Sequence, residues 1–150
     1  MMTVSFDDFT EAFLMRITEY NYLNMDEDVV EATIDSFMLR AISEFREVCG
    51  ELFVSLDTTR RTMEIAVDKE IDLHEVIDIV TEGMLVQWLN AFVYKQENLE
   101  NMLNTNDFSQ YSPAELTYRL TNLFTTTKNS FVQKIRNYSY RHGDLSELHI

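Results

Sequence analysis

Helix breakers are almost absent from this chain: glycines at 50, 83 and 143 and a proline at 113 are the only ones among 150 residues. Glycine costs a helix interior about 1 kcal/mol relative to alanine and proline about 3, so stretches free of both can remain helical. Tight β-architecture would need many more turn residues. The expected fold is mainly α, a helical bundle of about four helices with a small β-hairpin between helices two and three. With 45% hydrophobic residues, a chain of this length buries about 70% of its unfolded surface, enough for one core. A single domain spanning 1–150 is expected.

The clearest single helix is the last. Ser112 is placed to cap it, Pro113 occupies the first helical position where no donor is needed, and Glu115 completes a capping box. Leu116, Leu120, Leu123, Phe124, Phe131, Ile135 and Tyr138 then recur at spacings of three and four, with Arg119, Lys128, Lys134 and Arg136 between them. This helix is expected near 113–141, followed by a C-terminal docking tail at 143–150. Upstream, Ser5 and Asp8 open a helix near 5–20 with Phe6, Phe9, Phe13, Ile17 and Tyr20 on one stripe. A second helix is expected near 26–49, with Asp26, Glu27 and Asp28 at its positive end and Gly50 as a left-handed stop. Segments 52–56 and 62–67 read as the hairpin strands, near 52–67. Asp72 with Glu75 caps a third helix near 72–95, and Asn-rich 97–111 reads as a long loop.

The net charge of −14 is unevenly placed: residues 1–100 sum to −15 and residues 101–150 to +1. Neutralising phosphates needs clusters of Lys and Arg, so wrapping of nucleic acid is not expected, and an encounter with DNA is governed by repulsion. The single Cys49 excludes an internal disulfide framework, and neither a signal segment nor a long apolar run is present. A soluble protein made in a cytoplasm is expected.

Catalytic signatures are weak. His74 and Asp78 share a helix face but have no third ligand by spacing, and a solvated helix end is the plainer reading. His142, Asp144, Glu147 and His149 offer ligand atom types at a spacing that matches no known metal site. Cys49 ends an apolar helix face and reads as an inert buried thiol. No glycine-rich phosphate loop or calcium loop is present. The expectation is no enzyme, no cofactor and no metal. Gly83, beside Met84 and Trp88, admits two readings, close helix approach or simple tolerance. Tyr138 and Tyr140 read either as a sticky patch or, for Tyr138, as core.

Several short words in order, Glu82-Gly83-Met84, Gln87-Trp88-Leu89, Leu103-Asn104-Thr105-Asn106-Asp107-Phe108, Tyr111-Ser112-Pro113-Ala114, Tyr138-Ser139-Tyr140 and Gly143-Asp144-Leu145, resemble those of tailed-bacteriophage head–tail connector or adaptor proteins. The resemblance covers about residues 70–150. It implies a virion structural protein of the neck, a ring, usually twelvefold, that docks below the portal protein and meets the tail or a second neck protein. DNA would pass through its lumen without sequence-specific binding. An acidic wall suits such a passage, and basic residues of the last helix are expected to pair with acidic neighbours between subunits. The expected interface residues are Tyr138, Tyr140, Arg141, His142, Asp144, Leu145, Leu148 and Ile150. Competing expectations are a tail-completion or terminator protein and an acidic intracellular DNA mimic. A metal-dependent enzyme built on the C-terminal histidines is a third.

Overall fold

The computed structural model describes residues 1–17, 27–93 and 113–142. Among them seven elements follow in order: β1 (Met2–Ser5), α1 (Phe6–Ile17), α2 (Glu27–Val48), β2 (Phe53–Asp57), β3 (Thr62–Ile65), α3 (Glu70–Val93) and α4 (Pro113–His142). The fold is mainly helical, as expected, with a small antiparallel sheet. Ser112, Tyr20, Asp26, the loop at 97–111 and the tail at 143–150 lie outside the described residues.

α1 begins where Ser5 accepts a hydrogen bond from the Asp7 N–H at 3.2 Å, the capping role its hydroxyl suits. Its Phe6, Phe9, Phe13 and Ile17 are all buried, which is the expected stripe. α4 begins at Pro113 and buries Leu120, Phe131, Ile135 and Tyr138. Between them α3 behaves differently. Residues 79–86 are buried without a break, so this helix has no solvent face over two turns. It packs against α1, α2 and α4 together, and a helix apolar all round belongs in the middle of a bundle.

The sheet has three strands rather than the two of a hairpin, in the order β1-β3-β2. Met2 pairs with Ile65 and Ser5 with Thr62, antiparallel, so the residues just before α1 form an additional edge strand. Its four residues are too few for alternation to register in the sequence. Val4, Phe53, Met63 and Ile65 point into the same core as the helices. A bulge in β2 between Phe53 and Ser55 leaves Val54 outside the pairing, which bends that edge strand and blunts it against edge-to-edge association.

Two expected boundary signals are corrected. α3 starts at Glu70, not at Asp72, and Leu73 N–H already bonds the Lys69 carbonyl at 3.1 Å; Asp72 and Glu75 therefore lie inside the helix start, where the dipole favours acid. Gly50 does not take a left-handed conformation. α2 instead ends in a tight turn in which Leu52 N–H bonds the Cys49 carbonyl at 3.2 Å, returning the chain directly to β2. The left-handed residue is Arg61, at φ 54°. Asp57 Oδ1 accepts from the N–H groups of Thr59 and Arg60, both at 3.0 Å, and Arg61 closes the β2–β3 turn.

That conformation aims the Arg61 guanidinium at three carboxylates on two helices. It grips Asp35 of α2 with two hydrogen bonds of 2.9 Å, Asp7 of α1 at 2.6 Å and Glu31 of α2 at 3.2 Å. The hydrogen bonds that it donates to Asp35, then to Asp7, raise its pKa further above the ordinary arginine range. The planar fork is what permits the two-bond grip, so lysine is not an equivalent.

Gly83 marks close helix approach. A Cβ there would lie 2.6 Å from Phe131 Cζ on α4 and 2.7 Å from the Ala41 Cβ on α2. Gly83→Ala should therefore lower stability by about 1–3 kcal/mol through overpacking, outweighing the gain of about 1 kcal/mol in helix propensity. Urea unfolding measures this directly, and an unchanged or raised midpoint would mean that α2 and α4 have room to move apart.

Candidate functional site

The last turn of α2, the first turns of α3 and the last turns of α4 meet at one end of the molecule. Tyr138 of α4 is the joint. Its ring is buried, meets Phe45 of α2 edge-on with centroids 5.5 Å apart, and stacks on His142 at 4.2 Å. Burial, then the charge of Asp72, push its phenol up to about 12, so it stays a neutral hydroxyl at any working pH. Ser139, next to it, hydrogen-bonds the Cys49 side chain. Tyr138 thus belongs to the core, the plainer of the two sequence readings.

Tyr140 near the end of α4, Val48 at the end of α2 and Ile71 at the start of α3 are 69%, 51% and 74% exposed. Ionic groups occupy the facing ends of α3 and α4. Arg141 pairs with Glu75 of α3, and His142 Nε2 lies 3.4 Å from the other Glu75 oxygen. Exposed apolar side chains on helix ends that also carry ionic groups suit a protein-contact surface better than a catalytic pocket.

Of the residues expected at an interface, Tyr140, Arg141 and His142 are at this surface and Tyr138 lies beneath it. Asp144, Leu145, Leu148 and Ile150 lie outside the described residues. Sequence reasoning misses Val48, Ile71, Asp72 and Glu75 as members of this surface. Ile71 carries a faint signal, an isoleucine ahead of the α3 stripe, but nothing in the sequence joins Glu75 to a histidine 67 positions later.

His74 is exposed, while Asp78 is engaged by Lys134 at 3.1 Å, so these two do not form a unit. Lys134 also reaches Glu82 at 3.3 Å, which Arg16 of α1 meets at 2.6 Å. Glu82 is nearly buried, with 8% of its side chain exposed, and two cations offset the cost of holding its charge there. Lys134 and Arg141 of α4 are therefore partnered within the chain. Exposed Lys128 and Arg136 keep the outer face of α4 basic.

A depression of about 340 Å³ between α2 and β2 is lined by Leu39, Ile42, Ser43, Arg46, Glu47 and Leu56. It is broad and open, unlike the enclosing apolar clefts that hold small molecules. Among the described residues no helix is long and apolar enough to cross a membrane. Compared with protein-family models, curated proteins and solved structures, the chain matches none.

Cys49 gives this end of the molecule a chemical probe. Burial raises its thiol pKa, and the bond from Ser139 offsets only part of that rise. The thiolate is the reactive form, so near neutral pH iodoacetamide should alkylate the native protein about tenfold more slowly than the urea-unfolded chain. The native rate should climb only as pH passes above the ordinary thiol range. Equal rates in native and unfolded protein at neutral pH would contradict the half-buried placement of the thiol.

Proposed function

We propose that this chain is a non-catalytic structural protein of a tailed-phage neck, a ring-forming connector that docks below the portal protein. The observation that carries the reading is the helix-end surface. Val48, Ile71 and Tyr140 are exposed at the ends of α2, α3 and α4, where Phe45 and Tyr138 join α2 to α4 and Glu75 joins α3 to Arg141 and His142 of α4. The Tyr138-Ser139-Tyr140 word, one of those on which the resemblance to connector proteins rests, supplies a buried ring to the joint and an exposed one to the surface. The segment from Asp144 to Ile150, with Leu145, Leu148 and Ile150 between polar residues, follows α4 in the chain and supplies a docking tail for a sheet edge or groove of the portal, the tail or a second neck protein.

Ring formation needs a heterologous contact, one patch of a subunit against a different patch of the next. The acidic first hundred residues and the basic outer face of α4 provide two unlike surfaces. The remaining acid suits a lumen through which DNA passes without adhering. A tail-completion or terminator role would use the same physics with a different neighbour. Against the DNA-mimic alternative, Asp35, Glu75 and Glu82 are largely buried and held by cations of the chain itself, so these three acids are not displayed to a partner.

Quantitative mass spectrometry of purified virions should find about one copy of this chain per portal subunit. Absence from the particle would abandon the connector reading and favour the intracellular mimic. Deleting residues 144–150 should abolish incorporation while leaving the helical circular-dichroism spectrum unchanged. Normal incorporation of the truncated chain would remove the tail from the docking surface.

A further inference from the structure

At the start of α3 and the end of α4, three groups with metal-ligand chemistry converge. One oxygen each from Asp72 and Glu75 and one ring nitrogen of His142 all lie within 4.8 Å of one another. Asp72 and Glu75 are three apart on one helix and so share a face. His142 arrives from the other helix with its ring already oriented, stacked on Tyr138 at an interplanar angle of 27°. Tyr138 is in turn held by Phe45. A ligand whose ring plane is set by packing loses little freedom on binding.

We propose that Asp72, Glu75 and His142 form a binding site for one divalent transition-metal ion of the Zn²⁺ type. The donor set decides the class. An imidazole nitrogen with two carboxylate oxygens suits Zn²⁺ or Co²⁺, whereas Mg²⁺ and Ca²⁺ favour all-oxygen shells of six or more ligands. A tetrahedral ion with bonds of about 2.0–2.1 Å sets its ligand atoms about 3.3 Å apart, so binding would draw in three side chains whose ligand atoms already lie within 4.8 Å of one another. Three protein ligands leave a fourth position for water or for a donor from a bound partner.

Two local charges oppose the ion, and both are weighed by the geometry. The positive end of the α3 dipole faces the site, but the negative end of α4 faces it too. Arg141 holds Glu75, yet 59% of its side chain is exposed, so it can swing into solvent when a divalent ion takes the carboxylate. Arg141 is thus a competitor, and its removal should strengthen binding. The bound ion would pin the first turn of α3 to the last turn of α4, at the point where the chain continues into 143–150. This inference concerns the isolated chain and does not rest on the neck reading.

Isothermal titration of the full-length protein with Zn²⁺, and absorption spectroscopy with Co²⁺, test it. One ion per chain is expected. His142→Ala and Glu75→Gln should each lower the affinity about tenfold or more, with Arg141→Gln raising it severalfold and His74→Ala leaving it unchanged. Circular dichroism on each variant separates ligand loss from unfolding, and Arg141→Gln, a gain in affinity, cannot arise from misfolding. Absence of saturable Zn²⁺ binding by the wild-type chain, or binding indifferent to His142→Ala, overturns the proposal.

Discussion

The distance at which α2 and α4 approach α3 is set by the missing side chain at Gly83, and the rest of the bundle follows from it. Ala41 and Phe131 meet that position from the two flanking helices, so one residue serves two interfaces. Close approach brings Glu82, its neighbour, within reach of Arg16 and Lys134, and one buried carboxylate then ties α1, α3 and α4 together. The apolar contacts of Met84, Leu85, Trp88 and Leu89 accumulate around that junction. A glycine that weakens the isolated helix strengthens the assembled one, because dispersion contacts across a tight crossing outnumber those lost at one Cβ.

Much of this architecture was legible in apolar periodicity. Phe6, Phe9, Phe13 and Ile17 locate α1, and Leu120, Phe131, Ile135 and Tyr138 locate α4, because each helix has one wet face and the pattern records it. For α3 the same pattern marks the helix without revealing that it is wrapped on all sides, since continuous burial leaves no polar face to read. The β1 strand escaped because Met2–Ser5 is short and its partner β3 is remote in sequence. Gly50 carried a familiar stop signal, yet the tight return from Cys49 to Leu52 dispensed with a left-handed residue, while Arg61 took that conformation and with it three carboxylate partners.

The candidate site was legible only in part, for a related reason. Tyr140, Arg141 and His142 stand out because they follow the last stripe residue of α4, where a helix surface turns outward. Their partners Asp72 and Glu75 looked like capping residues, a role local to α3. Only tertiary packing, through the Tyr138 joint, converts a helix-start signal into half of a two-helix cluster. Charge behaved in the same way. The basic residues of α4 suggested contacts to other subunits, and the fold places Lys134 and Arg141 on the acids of α3 within one chain.

The strand order β1-β3-β2 also bears on how the chain is made. β2 and β3 are joined by a short turn and can pair as soon as both have left the ribosome, since closing so small a loop is fast. β1 is synthesised before either of them, yet its partner Ile65 emerges only after α1, α2 and β2 have been completed. At translation rates of about 5–20 residues per second, the N-terminal strand spends seconds with its edge bare before β3 arrives. β1 is therefore made before both of the other strands yet is the last to find its place in the sheet, and its seating adds it to a hairpin formed without it.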